Sequence, residues 1–321
     1  MTTATLPWIS APEVFSRLGF GAAVRAVQQE LRGPLDPASG FDRSVLELDR
    51  GQLLLMPAQS PRFVGVKVAT VAPGNPARGL DRIQGVYLLM DAVTLGPIAL
   101  LDGAAITTLR TPAVSAAAAD YLAPAEAPHL VVFGTGPQAW GHIEALRSIR
   151  ALERVTIVAR NQGRAADFAA RVTASGLAAR VGGPSAVHDA QLIVCATTAR
   201  EPLFDGERVQ DDSCTVAVGS HEAGARELDT ALMVRAQVVV EDTAAALREA
   251  GDVIIPVAEG RLDPRTLVPF KDVVTDACSV DRSRPRVFKS TGMSWEDLVV
   301  ATAVYRSPSA GQAPPIGPPA G

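Results

Sequence analysis

The chain has 321 residues, 47% of them hydrophobic, which is enough apolar material for two cores of ordinary size. A net charge of -4 and an isoelectric point near 5.7 give no basic surface for nucleic acid, and no apolar run is long enough to span a bilayer. Residues 1–10 lack a basic stretch followed by an apolar one, so no secretory leader is expected. The widely spaced Cys195, Cys214 and Cys278 fit reduced thiols in a cytoplasmic protein.

Only 5% of the residues are aromatic, while Ala, Val and Leu are abundant, as in α/β proteins with Val-rich strands and Ala-rich helices. In chain order, the first third reads as a helix followed by strands. Ala11 to Leu31 carries Val14, Leu18, Ala22, Val24 and Val27 at helical spacing, and Gly33-Pro34-Leu35-Asp36-Pro37 ends the run. Strands are predicted at Gln52 to Met56, Phe63 to Val71, Gly85 to Asp91 and Pro97 to Asp102, the last two as a hairpin through Ala92 to Gly96. Such short links imply a largely antiparallel sheet. Asp102-Gly103 reads as a turn before an Ala-rich helix over Ala104 to Leu122. Pro112 either kinks that helix or sits in the first turn of a new one capped by Thr111.

Three cations in this region are candidates for binding an anion. Alternation puts Val64, Val66 and Val68 on one face of their strand and Lys67 on the other with Gly65 and Ala69. Small neighbours leave room beside the ammonium, as a substrate pocket does, although a strand lysine snorkelling to water has the same pattern. Arg110 interrupts an apolar helix. If buried, its guanidinium requires a carboxylate; if exposed, it requires nothing. Arg43, in a loop or strand edge before the sheet, is the third.

Beyond a boundary near Ala123 to Pro128 the pattern changes. Strands at Leu130 to Phe133, Val155 to Ala159, Leu192 to Ala196, Thr215 to Gly219 and Val238 to Glu241 are short and apolar without clear alternation, with helix-like segments between several of them. Strands buried on both faces of a parallel, helix-covered sheet behave this way. Cys195 and Cys214 fall in such runs, where packing is their expected role. The stretch Val131-Val132-Phe133-Gly134-Thr135-Gly136-Pro137-Gln138-Ala139 runs from strand to glycine turn to helix, the layout of a dinucleotide site. Gly134 allows the tight turn, Gly136 lets backbone approach a pyrophosphate, and Ala139 lets the helix pack closely on the strand.

In such a fold the end of the second strand meets the adenosine ribose. Here it reads Val158-Ala159-Arg160-Asn161, with Arg164 one turn on and no carboxylate to grip a ribose diol. A 2′-phosphate beside Arg160 is favourable, so NADPH is expected, with NADH as the other possibility and a merely solvated Arg160 as the alternative. Thr197 ends a parallel strand at the carboxyl edge, where ligands bind. His129, His142 and His188 share no metal-ligand spacing, so no metal is expected, and no Gly-x-Ser-x-Gly elbow suggests a hydrolase. There are no internal repeats, and the Pro-, Gly- and Ala-rich tail from Ser307 to Gly321 is expected to be flexible.

Lys67 in Gly-x-Lys-x-Val, Leu101-Asp102-Gly103 leading to Arg110-Thr111, Gly134-Thr135-Gly136-x-Gln138-Ala139, and Phe288-Lys289-Ser290-x-Gly292 with Asp297 follow one another in order. With these motifs the chain, from about Arg43 to Tyr305, resembles the ornithine cyclodeaminase/μ-crystallin family. The resemblance implies a homodimer. It implies a smaller α+β substrate-binding and dimerisation domain over residues 1–122, completed by a C-terminal helix over about 295–306, and a Rossmann domain over 123–294. It implies that Lys67, Arg110 and Arg43 hold the carboxylate of a small imino or amino acid beside the nicotinamide. Thr197, Ser290 and Gly292 then join Gly134, Thr135, Gly136, Gln138, Ala139, Arg160, Asn161 and Arg164 around the cofactor.

The cyclodeaminases of that family carry a catalytic Asp where alignment of Gly219 and Glu227-Leu228 puts His221. A carboxylate base suits deamination, whereas an imine can arrive protonated and needs only hydride. His221 then donates a proton or organises water, or is a loop histidine without a part in the chemistry. Glu222 could replace the carboxylate only from a different direction. The expected activity is NADPH-dependent reduction of cyclic ketimine carboxylates, such as 1-pyrroline-2-carboxylate or 1-piperideine-2-carboxylate, to proline or pipecolate. The alternatives are ornithine cyclodeamination with bound NAD, an alanine dehydrogenase-like reaction, and NADPH binding without turnover.

Overall fold

The structure, a computed structural model, describes residues 5–308, so the tail expected to be flexible lies outside the described residues from position 309 on. Two compact units divide the chain: residues 5–110 with 293–308, and Thr111–Gly292.

The first unit is built on a sheet of β1 (Trp8–Ile9), β2 (Ser44–Leu48), β3 (Gly51–Gln59), β4 (Phe63–Val71), β5 (Ile83–Asp91) and β6 (Pro97–Asp102), in the order β1-β6-β5-β4-β3-β2. β2 to β6 form an antiparallel meander, and β1 adds parallel to β6. The helix expected from Ala11 to Leu31 is two helices, α1 (Ala11–Arg17) and α2 (Phe20–Arg32). Leu18 is extended and buried between them, and Gly19 caps α2. The apolar spacing runs on unbroken because buried Val14, Leu18, Ala23 and Val24 keep it going through the break. Glu13 fastens the start of α1 by accepting the N–H and the hydroxyl of Ser10.

Along β4, Phe63, Gly65, Lys67, Ala69 and Val71 are buried, while Val64, Val66 and Val68 are half-buried. The buried face is covered by α10 (Ser294–Arg306), which packs on β3, β4, β5 and α2. The room expected beside Gly65 is filled by the ring of Tyr87 from β5, which a Cβ at position 65 would strike. Asp102-Gly103 is no free turn. β6 passes directly into α3 (Gly103–Leu122), and Asp102 accepts the N–H of Ala105 at 2.8 Å as its cap. α3 is a single helix with Pro112 inside it, so no second helix begins there. By compactness the first unit ends within α3, at Arg110.

The second unit carries eight strands in the order β13-β12-β14-β11-β10-β7-β8-β9, every pair parallel. They are β7 (His129–Phe133), β8 (Arg154–Val158), β9 (Ala178–Val181), β10 (Leu192–Cys195), β11 (Cys214–Ala217), β12 (Gln237–Val240), β13 (Val268–Pro269) and β14 (Arg286–Lys289). Helices α4 (Pro137–Leu146), α5 (Gln162–Ala174), α6 (Thr230–Arg235), α7 (Thr243–Glu249), α8 (Gly251–Ala258) and α9 (Phe270–Val274) fall between them, and Val131, Phe133, Ile193, Val238 and Val287 share one apolar core. Strand order reverses between β7 and β10, which opens a ligand crevice at the carboxyl ends of such a sheet.

β14 lies inside the sheet, between β12 and β11, although no strand pattern marks it in the sequence. Its ends are Arg286 and Lys289, both fully buried. Arg286 donates to the carbonyls of Leu122 and Asp211 and pairs with Asp212 at 2.7 Å. Charged ends hid a buried strand because their partners come from distant segments. In the first unit, the close fit of Tyr87 over position 65 sets an expectation. Gly65→Ala should lower stability by about 1–3 kcal/mol through overpacking, read as the midpoint of urea unfolding. An unchanged midpoint would show that the ring has room to move.

Candidate active site

The first unit brings two of the predicted cations together. The Nζ of Lys67 lies 2.9 and 2.8 Å from the two carboxylate oxygens of Asp297 and donates to Thr107 Oγ1 at 3.1 Å. Arg110 Nη1 pairs with Glu296 at 2.5 Å, and its Nε lies 3.3 Å from Asp297. Both cations are buried, and both carboxylates are 0% exposed. Alternation along β4 aims Lys67 inward. Thr107 and Arg110 stand one turn apart on α3, and Glu296 and Asp297 occupy the first turn of α10, where the helix dipole favours negative charge. The carboxylate that a buried Arg110 demanded thus comes from the chain itself. Motif order pointed to Asp297, but Glu296 was missed; its only signal is an acidic pair opening the last apolar helix.

Burial drives the Lys67 ammonium down to a pKa of about 8. Asp297 opposes that fall and Arg110 adds to it, so the side chain is charged at neutral pH and loses its charge just above. Opposite Lys67 in the sheet is Tyr87, whose buried hydroxyl makes no hydrogen bond among the described residues. Burial, with Asp297, pushes that phenol well above its ordinary range. Arg43 is half-buried and immediately precedes β2. Extending the β2–β3 register by one residue puts it in the row of Met56, Lys67 and Tyr87, two strand spacings or about 10 Å from Lys67.

In the second unit the glycine turn is formed as its pattern requires. Gly134 has φ +117°, and a Cβ there would press on the carbonyl of Ala196. Gly136 is extended and caps α4. A Cβ on it would meet no atom within 4 Å, so this side of the turn is open to close approach by a ligand. Pro137 opens the helix and Ala139 is fully buried. Thr135 and Gln138 complete a helix N-terminus at the carboxyl end of β7, a chemistry that fits a pyrophosphate. Arg160 and Arg164 are exposed just beyond β8, while the side chain of Asn161 is engaged as the cap of α5, accepting the Arg164 N–H at 3.0 Å.

Other predicted residues are engaged by buried carboxylates. Thr197 donates its N–H and hydroxyl to Glu227, at 2.9 and 2.7 Å. Ser290 donates its hydroxyl to Glu241, which also accepts the N–H groups of Thr291 and Gly292. His221 is exposed on the loop after β11, and neighbouring Glu222 is paired with Arg200 at 2.6 Å. His142 is buried, bonded to Gln138 and Ser115 and driven down to a pKa of about 4, while His129 is bonded to Asp189 and Thr156; both serve the fold. Among the described residues, no group of three His, Cys, Asp or Glu could hold a metal ion, and no helix is long and apolar enough to cross a membrane.

A parallel α/β sheet with this glycine turn, in a chain whose meander unit buries a lysine–arginine–carboxylate cluster, defines a pyridine-nucleotide oxidoreductase of two-unit build. The chain belongs to the ornithine cyclodeaminase/mu-crystallin family, whose model matches residues 17–312. It is 32% identical over 310 residues to the Delta(1)-pyrroline-2-carboxylate reductase of Colwellia psychrerythraea, covering 92% of this chain and 97% of that protein. The Delta(1)-pyrroline-2-carboxylate reductase of Thermococcus litoralis, solved with NADH and L-proline, matches with a TM-score of 0.89 at 26% identity over 94% of this chain and 97% of that one. An archaeal alanine dehydrogenase dimer with bound NAD matches with a TM-score of 0.87 at 26% identity, over 94% and 95%.

The buried cluster sets its own expectation. Asp297→Asn removes the charge that faces both Lys67 and Arg110 and should lower stability by about 3–5 kcal/mol, because a buried charge is left without its partner. Chemical denaturation at pH 7 reads the loss; a variant as stable as the parent would mean that the cluster is already solvated.

Proposed function

We propose that this protein reduces cyclic ketimine carboxylates, 1-pyrroline-2-carboxylate or 1-piperideine-2-carboxylate, to proline or pipecolate, using NADPH in preference to NADH. The observation that carries the reading is the buried Lys67–Asp297–Arg110–Glu296 cluster in a chain of this family. A reduced nicotinamide, when bound, supplies the hydride that the C=N carbon receives. The residues of the chain do the rest. Lys67 has three N–H donors; Thr107 and Asp297 orient the ammonium, and the remaining donor suits a substrate carboxylate. Arg110 presents a guanidinium already oriented by Glu296 and Asp297, and Arg43 in the same sheet row adds a third positive charge. Fixing the carboxylate fixes the adjacent imine carbon, which is most of what hydride transfer to a protonated imine asks of a protein. We assign to His221 the proton supply at the carboxyl edge of the second unit.

In this reading residues 1–122 with the last helix do the substrate and dimer work, and 123–294 hold the nucleotide. Gly134, Thr135, Gly136, Gln138 and Ala139 take the pyrophosphate. Arg160 and Arg164 take the 2′-phosphate beside an α5 start shaped by Asn161, and Thr197, Ser290 and Gly292 form the rim. The half-buried face of Val64, Val66, Val68 and Leu88 supports a homodimer, as does the dimeric alanine dehydrogenase relative. Three free cysteines support a cytoplasmic setting. The His221 position, where the family's cyclodeaminases carry an Asp, and Arg160 beyond β8 weigh against cyclodeamination with bound NAD.

Oxidation of NADPH and of NADH with a panel of cyclic imino acids tests the reading. Turnover of five- or six-membered ketimine carboxylates is expected, with NADPH bound at least tenfold more tightly. No turnover on any of them would overturn the activity, and tighter NADH binding the cofactor preference. Binding of L-proline as product should weaken as pH rises through about 8, where Lys67 loses its proton, by about tenfold for one charge-assisted contact. A flat affinity from pH 7 to 9.5 would remove Lys67 from carboxylate binding.

A further inference from the structure

The loop that carries His221 is pinned by a buried charge network of Lys289, Asp252 and Glu227, none of which has a part in substrate or nucleotide binding. Lys289, the last residue of β14, donates from Nζ to the carbonyl of Ser220 at 2.6 Å and pairs with Asp252 at 3.0 Å. Asp252, in the first turn of α8, accepts the N–H groups of Glu227 and Leu228 at 2.7 and 2.8 Å. The carboxylate of Glu227 turns back to the start of the loop and accepts the N–H of Gly219 at 2.7 Å, together with the N–H and hydroxyl of Thr197 beyond β10. The hydroxyl of Ser220 closes the loop internally on the carbonyl of Ala225 at 2.5 Å. Lys289, Asp252 and Glu227 are all fully or almost fully buried, while His221 to Gly224 between the pinned ends are exposed.

Such an arrangement is more than a surface turn requires. A loop of eleven residues, 218–228, would close with turn chemistry alone. Burying an ammonium and two carboxylates beneath it is unfavourable unless every donor and acceptor is met. The hydrogen bonds fall on backbone groups at the two ends of the loop, at Gly219, Ser220, Glu227 and Leu228, and leave its tip to the carboxyl edge of the sheet. Gly219 and Gly251 complete the fit, because a Cβ on either would strike the network or the loop backbone.

We propose that Lys289 and Asp252, with Glu227, are positioning residues for the reduction: they hold the loop after β11 in one preformed shape, so that His221 is presented at the carboxyl edge of the second unit without reorganisation. The inference rests on the role given to His221. Its consequence is that Lys289 acts through His221 and not beside it.

The test compares four proteins as full chains: the parent, His221→Ala, the double variant Asp252→Asn with Lys289→Met, and the triple variant. The double variant removes the Lys289–Asp252 charge pair at once, and the Asn carbonyl still accepts the two N–H groups, while the Glu227 carboxylate keeps the N–H groups of Gly219 and Thr197. Thermal melting confirms that each protein is folded, and Lys289→Met combined with Asp252→Leu serves if the first pair does not fold. The double variant should lower kcat about ten- to a hundredfold, with a smaller change in KM, and should add nothing further once His221 is gone. Losses that multiply in the triple variant, with His221→Ala itself impaired, would overturn the positioning role and leave that of His221 standing. Unchanged kcat in His221→Ala would overturn both. A double variant as active as the parent would overturn the positioning role alone.

Discussion

The first unit depends on one interaction, the meeting of Lys67 and Arg110 with Asp297 and Glu296. Two cations and two carboxylates are out of water together, which is tolerable only because each charge faces an opposite one within hydrogen-bonding distance. Lys67 and Asp297 are 230 positions apart, so the contact closes nearly the whole chain on itself. The chain leaves the first unit at Arg110 and returns at Met293, and the returning helix brings the two acids on its first turn. A sheet that would otherwise expose Lys67, Ala69 and Tyr87 is covered only when α10 arrives. The same pairing that stabilises the unit therefore sets the charge and direction of the groups assigned to the substrate.

The second unit solves a related problem at its carboxyl edge. The ends of parallel strands carry backbone donors that no neighbouring strand can meet. Three buried carboxylates meet them: Glu227 at the ends of β10 and β11, Asp252 where the loop after β11 returns, and Glu241 beyond β14. The strand ends at the rim are thus satisfied by side chains of the protein itself. The glycine turn differs in kind. Gly134 is strained into a conformation only glycine adopts freely, while Gly136 is ordinary backbone whose missing side chain leaves room.

Patterns with a short range were legible in the sequence. Alternation located β4 and β6 to the residue and put Lys67 on the face opposite Val64, Val66 and Val68, which the structure shows to be the buried one, and the run of apolar residues into Gly134-x-Gly136 located the nucleotide turn. Local rules and packing disagree at three places. Leu18 continues a helical spacing while the backbone breaks there. Gly65 promised space that Tyr87 fills. β14 was passed over because Arg286 and Lys289 look like surface charges until their partners are known.

Residue types and spacing by themselves determined that this chain carries a nucleotide-binding α/β unit, a meander sheet, and a cation on the strand face opposite three valines with another in an apolar helix. Those follow from the periods of helix and strand and from the conformations open to glycine. Only the tertiary structure decided which carboxylates answer the cations, that Glu222 lies beside Arg200, and that His221 stands on a loop pinned from below by Lys289. The physical reason is that a buried charge must find its counterion wherever the fold brings one, and no rule of spacing encodes a partner two hundred residues away.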